Sequence, residues 1–169
     1  MNRGRGEYTE GNGPRRHSVD FAPDFDEFIE SLIAHGVEFL IVGAYALAFH
    51  GAPRFTGDLD ILVRPTLDNA ARVLAAIRAF GFPIAELQPV DLTDSRRIVE
   101  MGVEPVQLHV MSAISGVTWD DAWRDRVTGP CGRHEAAYLG RDTFLRNKRA
   151  AGRPQDLADI DALAPGEGK

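Results

Sequence analysis

Asp58 and Asp60 interrupt the apolar run "DLDILV", and a charge set into buried strand is costly unless it is paired or meets a metal. Along a strand, residues i and i+2 point to one side about 7 Å apart, so the two carboxylates form a pair. Such a pair can hold one hard divalent cation or bridge two ions about 4 Å apart, and Mg²⁺ commonly takes one or two carboxylates plus substrate phosphates. The bland alternative is a structural role, with Asp58 in a turn and Asp60 against an arginine, Arg54 and Arg64 being at hand. Gly43 ends the apolar run "VEFLIV" just ahead of "AYALAFH". A glycine between strand and helix lets backbone N–H groups and the positive helix end approach an anion closely. Arg54 and Thr56, in the loop before the aspartates, are placed to contact phosphates or to shape the turn by local hydrogen bonds. An anion cradle beside a carboxylate pair points to a nucleotide.

Other reactive types are scattered further along. Gln107 and His109 share one face of "VQLHVM", opposite Val106, Leu108 and Val110. "RNKRAAGR" puts four positive residues within eight positions, either a small basic patch or a solvated helix face. Lys148 and Arg153 are suited to a triphosphate, but a helix end favours positive charge anyway, and Asp156 and Asp159 suit the first turns of the next helix. Trp119 and Trp123, four apart, share a helix face and read as core or lid packing. His50 and His134 have no companions at metal-ligand spacing.

The elements that must position these residues follow from periodicity and punctuation. Phe25, Phe28, Ile29, Leu32 and Ile33 recur at helical spacing, with Asp24 as a cap, Glu27 three residues on, and Gly36 as the stop. "VEFLIV" and "DLDILV" read as strands. "TLDNAARVLAAIRAFG" reads as an amphipathic helix capped by Thr66, ended by Gly81, with Ala70, Val73, Leu74 and Ile77 inward. "RRIVEMGVEPVQLHVMS" reads as two strands turning near Gly102, "SGVTWDDAW" as one helical turn, and "RVTGPCGRHEAAYL" as a polar hairpin. Two helices close the chain, with Gly152 past the end of the first and Pro154 at the start of the second.

"VGAYALAFHGAPRFTGDLDILV" resembles the signature of the nucleotidyltransferase-like superfamily, in which strand, glycine and helix precede Asp-x-Asp on the next strand. "KRAAGRPQDLADIDAL" is similar to the closing segment of small bacterial members related to AbiEii-type toxins, where a Lys and a downstream Asp join the site. The resemblance runs from Val37 to Leu163. It implies an α/β fold (α+β by strict class), a single domain with a small mixed twisted sheet flanked by helices. It also implies Mg²⁺ or Mn²⁺ at Asp58 and Asp60, a nucleoside triphosphate held at Gly43, Ala44, Arg54, Thr56, Lys148 and Asp156, and transfer to a hydroxyl of RNA, a protein or a small molecule. A cognate antitoxin or toxin is the partner that it implies. Two departures stand out. Ala44 follows the glycine where members carry Gly or Ser, leaving backbone contacts alone, and His109 in "VQLHVMSAISG" occupies the place of the third carboxylate. His109 is then a substitute base or ligand, or marks a site that binds nucleotide without turnover, or cedes the role to Glu100 or Glu104. The competing class is a nucleotide-sensing or partner-binding module of the same fold.

The whole chain bounds these readings. Its 169 residues with 44% hydrophobic content suit one compact core over 21–164, between polar tails at 1–20 and 165–169. A formal charge of −6 argues against broad DNA or RNA coating. No apolar run is long enough for a bilayer and no signal pattern opens the chain, so a cytoplasmic protein is expected. The lone Cys131 excludes an internal disulfide and reads as an inert thiol.

Overall fold

The computed structural model describes residues 21–164; the tails expected at 1–20 and 165–169 lie outside the described residues. In chain order the elements are α1 (Pro23–Ala34), β1 (Phe39–Val42), α2 (Gly43–Phe49), β2 (Asp58–Val63), α3 (Leu67–Phe80), a short 3-10 turn (Pro89–Thr93), β3 (Ile98–Val103), β4 (Val106–Met111), α4 (Trp119–Asp125), β5 (Val127–Cys131), β6 (His134–Tyr138), α5 (Arg141–Ala151) and α6 (Pro154–Leu163). The architecture is the α/β arrangement expected, a six-stranded mixed sheet flanked by helices, in the order β3-β4-β2-β1-β6-β5. β1 runs antiparallel to β2, while β2 with β4 and β1 with β6 are parallel.

Register places the chemistry. Val42 pairs with Asp60, Asp60 with His109, and His109 with Glu100, so one row crosses four strands. Alternation along β2 sends Leu59 and Ile61 into the core, where they join Phe28, Leu32, Val73, Leu74 and Ile77, and leaves Asp58 and Asp60 half-buried on the other face. Leu108 and Val110 do the same on β4. Thr66 Oγ1 accepts from the Asn69 amide and Gly81 takes the left-handed conformation, so α3 begins and ends where its sequence indicates.

Three local expectations are corrected. Asp24 does not cap α1: Ala22 is the N-cap with no side-chain bond, because Pro23 enters at the first helical position and starts the helix two residues earlier. The β3–β4 turn lies at Glu104-Pro105, a cis peptide, and Gly102 is inside β3 opposite Gln107. α4 extends to seven residues, held by Thr118 Oγ1 accepting from the Asp121 amide. Cys131 is buried, and burial pushes its thiol pKa up to about 12, so it stays protonated.

Candidate active site

A cavity of about 910 Å³ opens over the polar face of the sheet. Its walls include Gly43 and Ala44 from the start of α2, Arg54 and Thr56 from the following loop, Asp58 and Asp60 from β2, Glu100 from β3, His109 from β4, and Lys148, Arg153 and Asp156 from α5 and α6. The residues expected to hold metal and nucleotide therefore line one space together with His109 and Glu100, whereas Glu104, the other acid offered for the third position, sits in the β3–β4 turn outside it.

At the carboxylate pair, His109 Nδ1 lies 2.9 Å from Asp60 Oδ1. A carboxylate only accepts, so Nδ1 carries the proton, and the Nε2 lone pair is enclosed with no hydrogen-bond partner among the described residues. Burial raises the Asp60 pKa, against the hydrogen bond from His109; Asp58 adds to the rise and Lys148 opposes it. Gly43 has φ +64°, and a Cβ there would collide with Asp60 Oδ2. The glycine thus lets the backbone lie against the carboxylate as well as satisfying the left-handed turn. Thr56 Oγ1 accepts from the Asp58 amide at 3.1 Å, closing the local turn that delivers β2.

The arginines offered as structural partners for the aspartates are engaged elsewhere. Arg64 bonds Glu38 at 3.0 Å and Arg54 bonds Asp159 at 2.9 Å. Asp58 and Asp60 consequently keep carboxylate oxygens directed to the cavity without an arginine. Among the described residues no three of His, Cys, Asp and Glu are arranged to enclose a metal ion. Two carboxylates, with room over Gly43 and one of them oriented by an imidazole, suit a hard cation that completes its shell on phosphate oxygens; a closed protein cage they do not make.

The cations of the cavity wall are built on two buried acids. Lys148, Asp156 and Asp159 are 6%, 1% and 1% exposed. Lys148 Nζ lies 3.0 Å from Asp156 Oδ1 and 3.1 Å from Asp159 Oδ2. Arg153 Nε donates to Asp156 at 2.7 Å, and the Arg153 amide donates to the same carboxylate at 3.1 Å. Asp156 is thus both a helix cap and a member of the ion cluster. Burial by itself would raise the pKa of Asp156, but bonds from Arg153 and Lys148 outweigh it and hold the group at about 2. Asp159 is lowered in the same way, burial being overcome by Arg54, Lys148 and Gln155.

"RNKRAAGR" is not an open basic patch. Arg146 pairs with Asp121, Lys148 is buried, and Arg153 holds Asp156. Asp159 is the residue that sequence reasoning passed over as a first-turn charge; the DxxD spacing of Asp156 and Asp159 beside a lysine was the available signal. Trp119 and Trp123 stack at 5.2 Å, with Arg126 4.0 Å over the latter ring, outside the cavity wall. His50 Nε2 lies 2.8 Å from the Leu139 carbonyl oxygen, a structural contact.

The fold has a solved counterpart. A presumed nucleotidyltransferase from Thermotoga maritima matches 80% of this chain and 87% of its own, with a TM-score of 0.57 at 13% sequence identity. The fold is nucleotidyltransferase-like. No protein-family model matches the chain, and no curated protein does so significantly. In this nucleotidyltransferase-like frame, the carboxylate pair and the strand-glycine-helix unit share one cavity, while α5 and α6 supply the facing cations.

Proposed function

We propose that the protein is a metal-dependent nucleotidyltransferase. The observation that carries this reading is one cavity whose wall holds Asp58 and Asp60 together with Arg54, Lys148 and Arg153, the charge pattern of a site for a metal-bound triphosphate. Asp58 and Asp60 hold Mg²⁺ or Mn²⁺, whose charge neutralises the phosphate oxygens. Gly43 and Ala44 offer backbone amides to the phosphate chain; α2, at seven residues, contributes contacts more than a large dipole. Arg54, Thr56 and Lys148 bind and orient the chain, and Asp156 fixes Lys148. An acceptor hydroxyl forms a bond to the α-phosphorus while the bond to the bridging oxygen breaks, and pyrophosphate leaves with that electron pair. His109 Nε2 takes the hydroxyl proton.

The proposal includes the setting that the AbiEii resemblance implies: a cytoplasmic enzyme with a cognate antitoxin or toxin, acting on RNA, a protein or a small molecule. No helix among the described residues is long and apolar enough to cross a membrane. A second reading, nucleotide binding without turnover, is favoured by the imidazole where a third carboxylate is expected, and His109 divides the two.

Thermal-shift measurements with ATP, GTP, CTP and UTP, each with Mg²⁺ or Mn²⁺, test the proposal. Ligand at a hundredfold its Kd should raise Tm by roughly 5 °C or more, and Asp58→Asn/Asp60→Asn should abolish the rise. No shift with any triphosphate would refute it.

A further inference from the structure

Asp159 stands behind the cavity wall: Arg54, Lys148, Gln155 and Asp156 line the cavity, and Asp159 does not. Its carboxylate is nonetheless saturated with donors. Oδ1 accepts from Arg54 Nε at 2.9 Å and from Gln155 Nε2 at 3.0 Å; Oδ2 accepts from Arg54 Nη2 at 3.3 Å and lies 3.1 Å from Lys148 Nζ. A carboxylate offers about four acceptor sites, so this one has no spare site and no freedom to rotate.

Arg54 meets it side-on, through Nε and Nη2, and Nη1 makes no hydrogen bond among the described residues. The Arg54 side chain is 33% exposed and belongs to the cavity wall. An arginine on a loop ordinarily loses much rotamer freedom when it grips a ligand, and a guanidinium fixed beforehand avoids that cost. Two elements far apart in sequence, the loop before β2 and helix α6, are joined by this one ion pair.

We infer that Asp159 is a positioning residue, which holds Arg54 with its Nη1 edge ready for a phosphate oxygen of the bound polyphosphate. The inference deepens the triphosphate site proposed above and rests on a polyphosphate occupying it. Asp159 touches no ligand; it acts mainly through Arg54. The side-on geometry needs a planar fork, so lysine at position 54 would keep the charge and lose the function.

The test measures Kd by calorimetry for two probes, Mg²⁺-ATP and Mg²⁺-tripolyphosphate, on the full chain. Asp159→Asn is compared with wild type, and again in an Arg54→Ala background. The expected result is that Asp159→Asn weakens both probes about tenfold when Arg54 is present and several-fold less when Arg54 is already alanine, the remainder passing through Lys148. Its effect on the melting temperature of the free protein should persist in both backgrounds. The Arg54 Nε–H resonance, shielded from exchange in wild type, should exchange rapidly in Asp159→Asn. Equal losses of affinity in both backgrounds, or no loss, would overturn the inference. Should Asp159→Asn fail to fold, Arg54→Lys decides: weakening near that of Arg54→Ala supports the inference, and wild-type affinity refutes it. Binding of tripolyphosphate but not ATP would refute the nucleotide reading while leaving the role of Asp159 standing. Binding of neither probe would remove both.

Discussion

At the scale of single residues, the site turns on what His109 does for Asp60. The hydrogen bond to Oδ1 favours the ionised carboxylate and partly offsets the burial that raises its pKa. The same bond fixes the imidazole tautomer and turns the Nε2 lone pair loose in an enclosed place. If Nε2 is the proton acceptor, His109→Ala should cut pyrophosphate release from an NTP about a hundredfold or more, because a positioned base is worth roughly 10²–10⁴ in rate. His109→Asp should bind Mn²⁺ more tightly and melt lower without metal, since a third carboxylate beside Asp60 adds like charge. A pyrophosphate-release assay with NTP and Mn²⁺ separates the readings: activity gained in His109→Asp from an inert wild type would favour the binding module. The partner of the Asp58–Asp60 pair was only half legible in the sequence. Alternation put both carboxylates on one face, and the opposing strand that brings His109 to Asp60 is 49 residues away.

Helices and strands differ in how much of their role sequence reveals. α3 was readable to within a residue because its cap, apolar stripe and terminator are local chemistry. α5 and α6 were readable as helices, but their cluster was not, because Lys148 and Asp156 sit where end-of-helix charges normally do in water and Asp159, mid-way along α6, carries no local signal of burial. Burial converts those capping charges into a structural ion network with consequences for pH. The folded-state pKa of Asp156, about 2, lies below its ordinary value of 3.8, so its ionised form stabilises the fold above about pH 4. That contribution, about 2 kcal/mol, is lost as pH falls from about 4 to 2. Asp156→Asn should therefore flatten the stability profile across that window, measured by urea unfolding at successive pH values. At neutral pH it should cost about 2 kcal/mol, the linked contribution, because Lys148 keeps Asp159 as a buried partner. An unchanged acid limb would show that the cluster contributes no linked stability.

Across the whole molecule, the strand order β3-β4-β2-β1-β6-β5 was the least legible feature, since its two parallel pairings are set by long-range packing and carry no turn signal. Yet that order explains why the cavity lies where it does. β1 and β2 form the centre, the glycine turn follows β1, and β4 adds His109 beside Asp60, so chemistry collects over the middle of the sheet. α5 and α6 then close the polar face through Arg54–Asp159, while α1 and α3 pack the core and contribute no residue to the cavity wall. A ligand that engages both the carboxylates and the cations of this cavity should accordingly slow amide exchange unevenly. With Mg²⁺ and a triphosphate, protection should rise in 43–45, 54–60 and 147–156, which meet in the cavity, and remain as in the free protein in α1 and α3. Hydrogen-exchange mass spectrometry reads this directly. Uniform protection would mean that the ligand merely stabilises the global fold, and protection confined to 147–156 would place an anion at the cations without engaging Asp58 and Asp60.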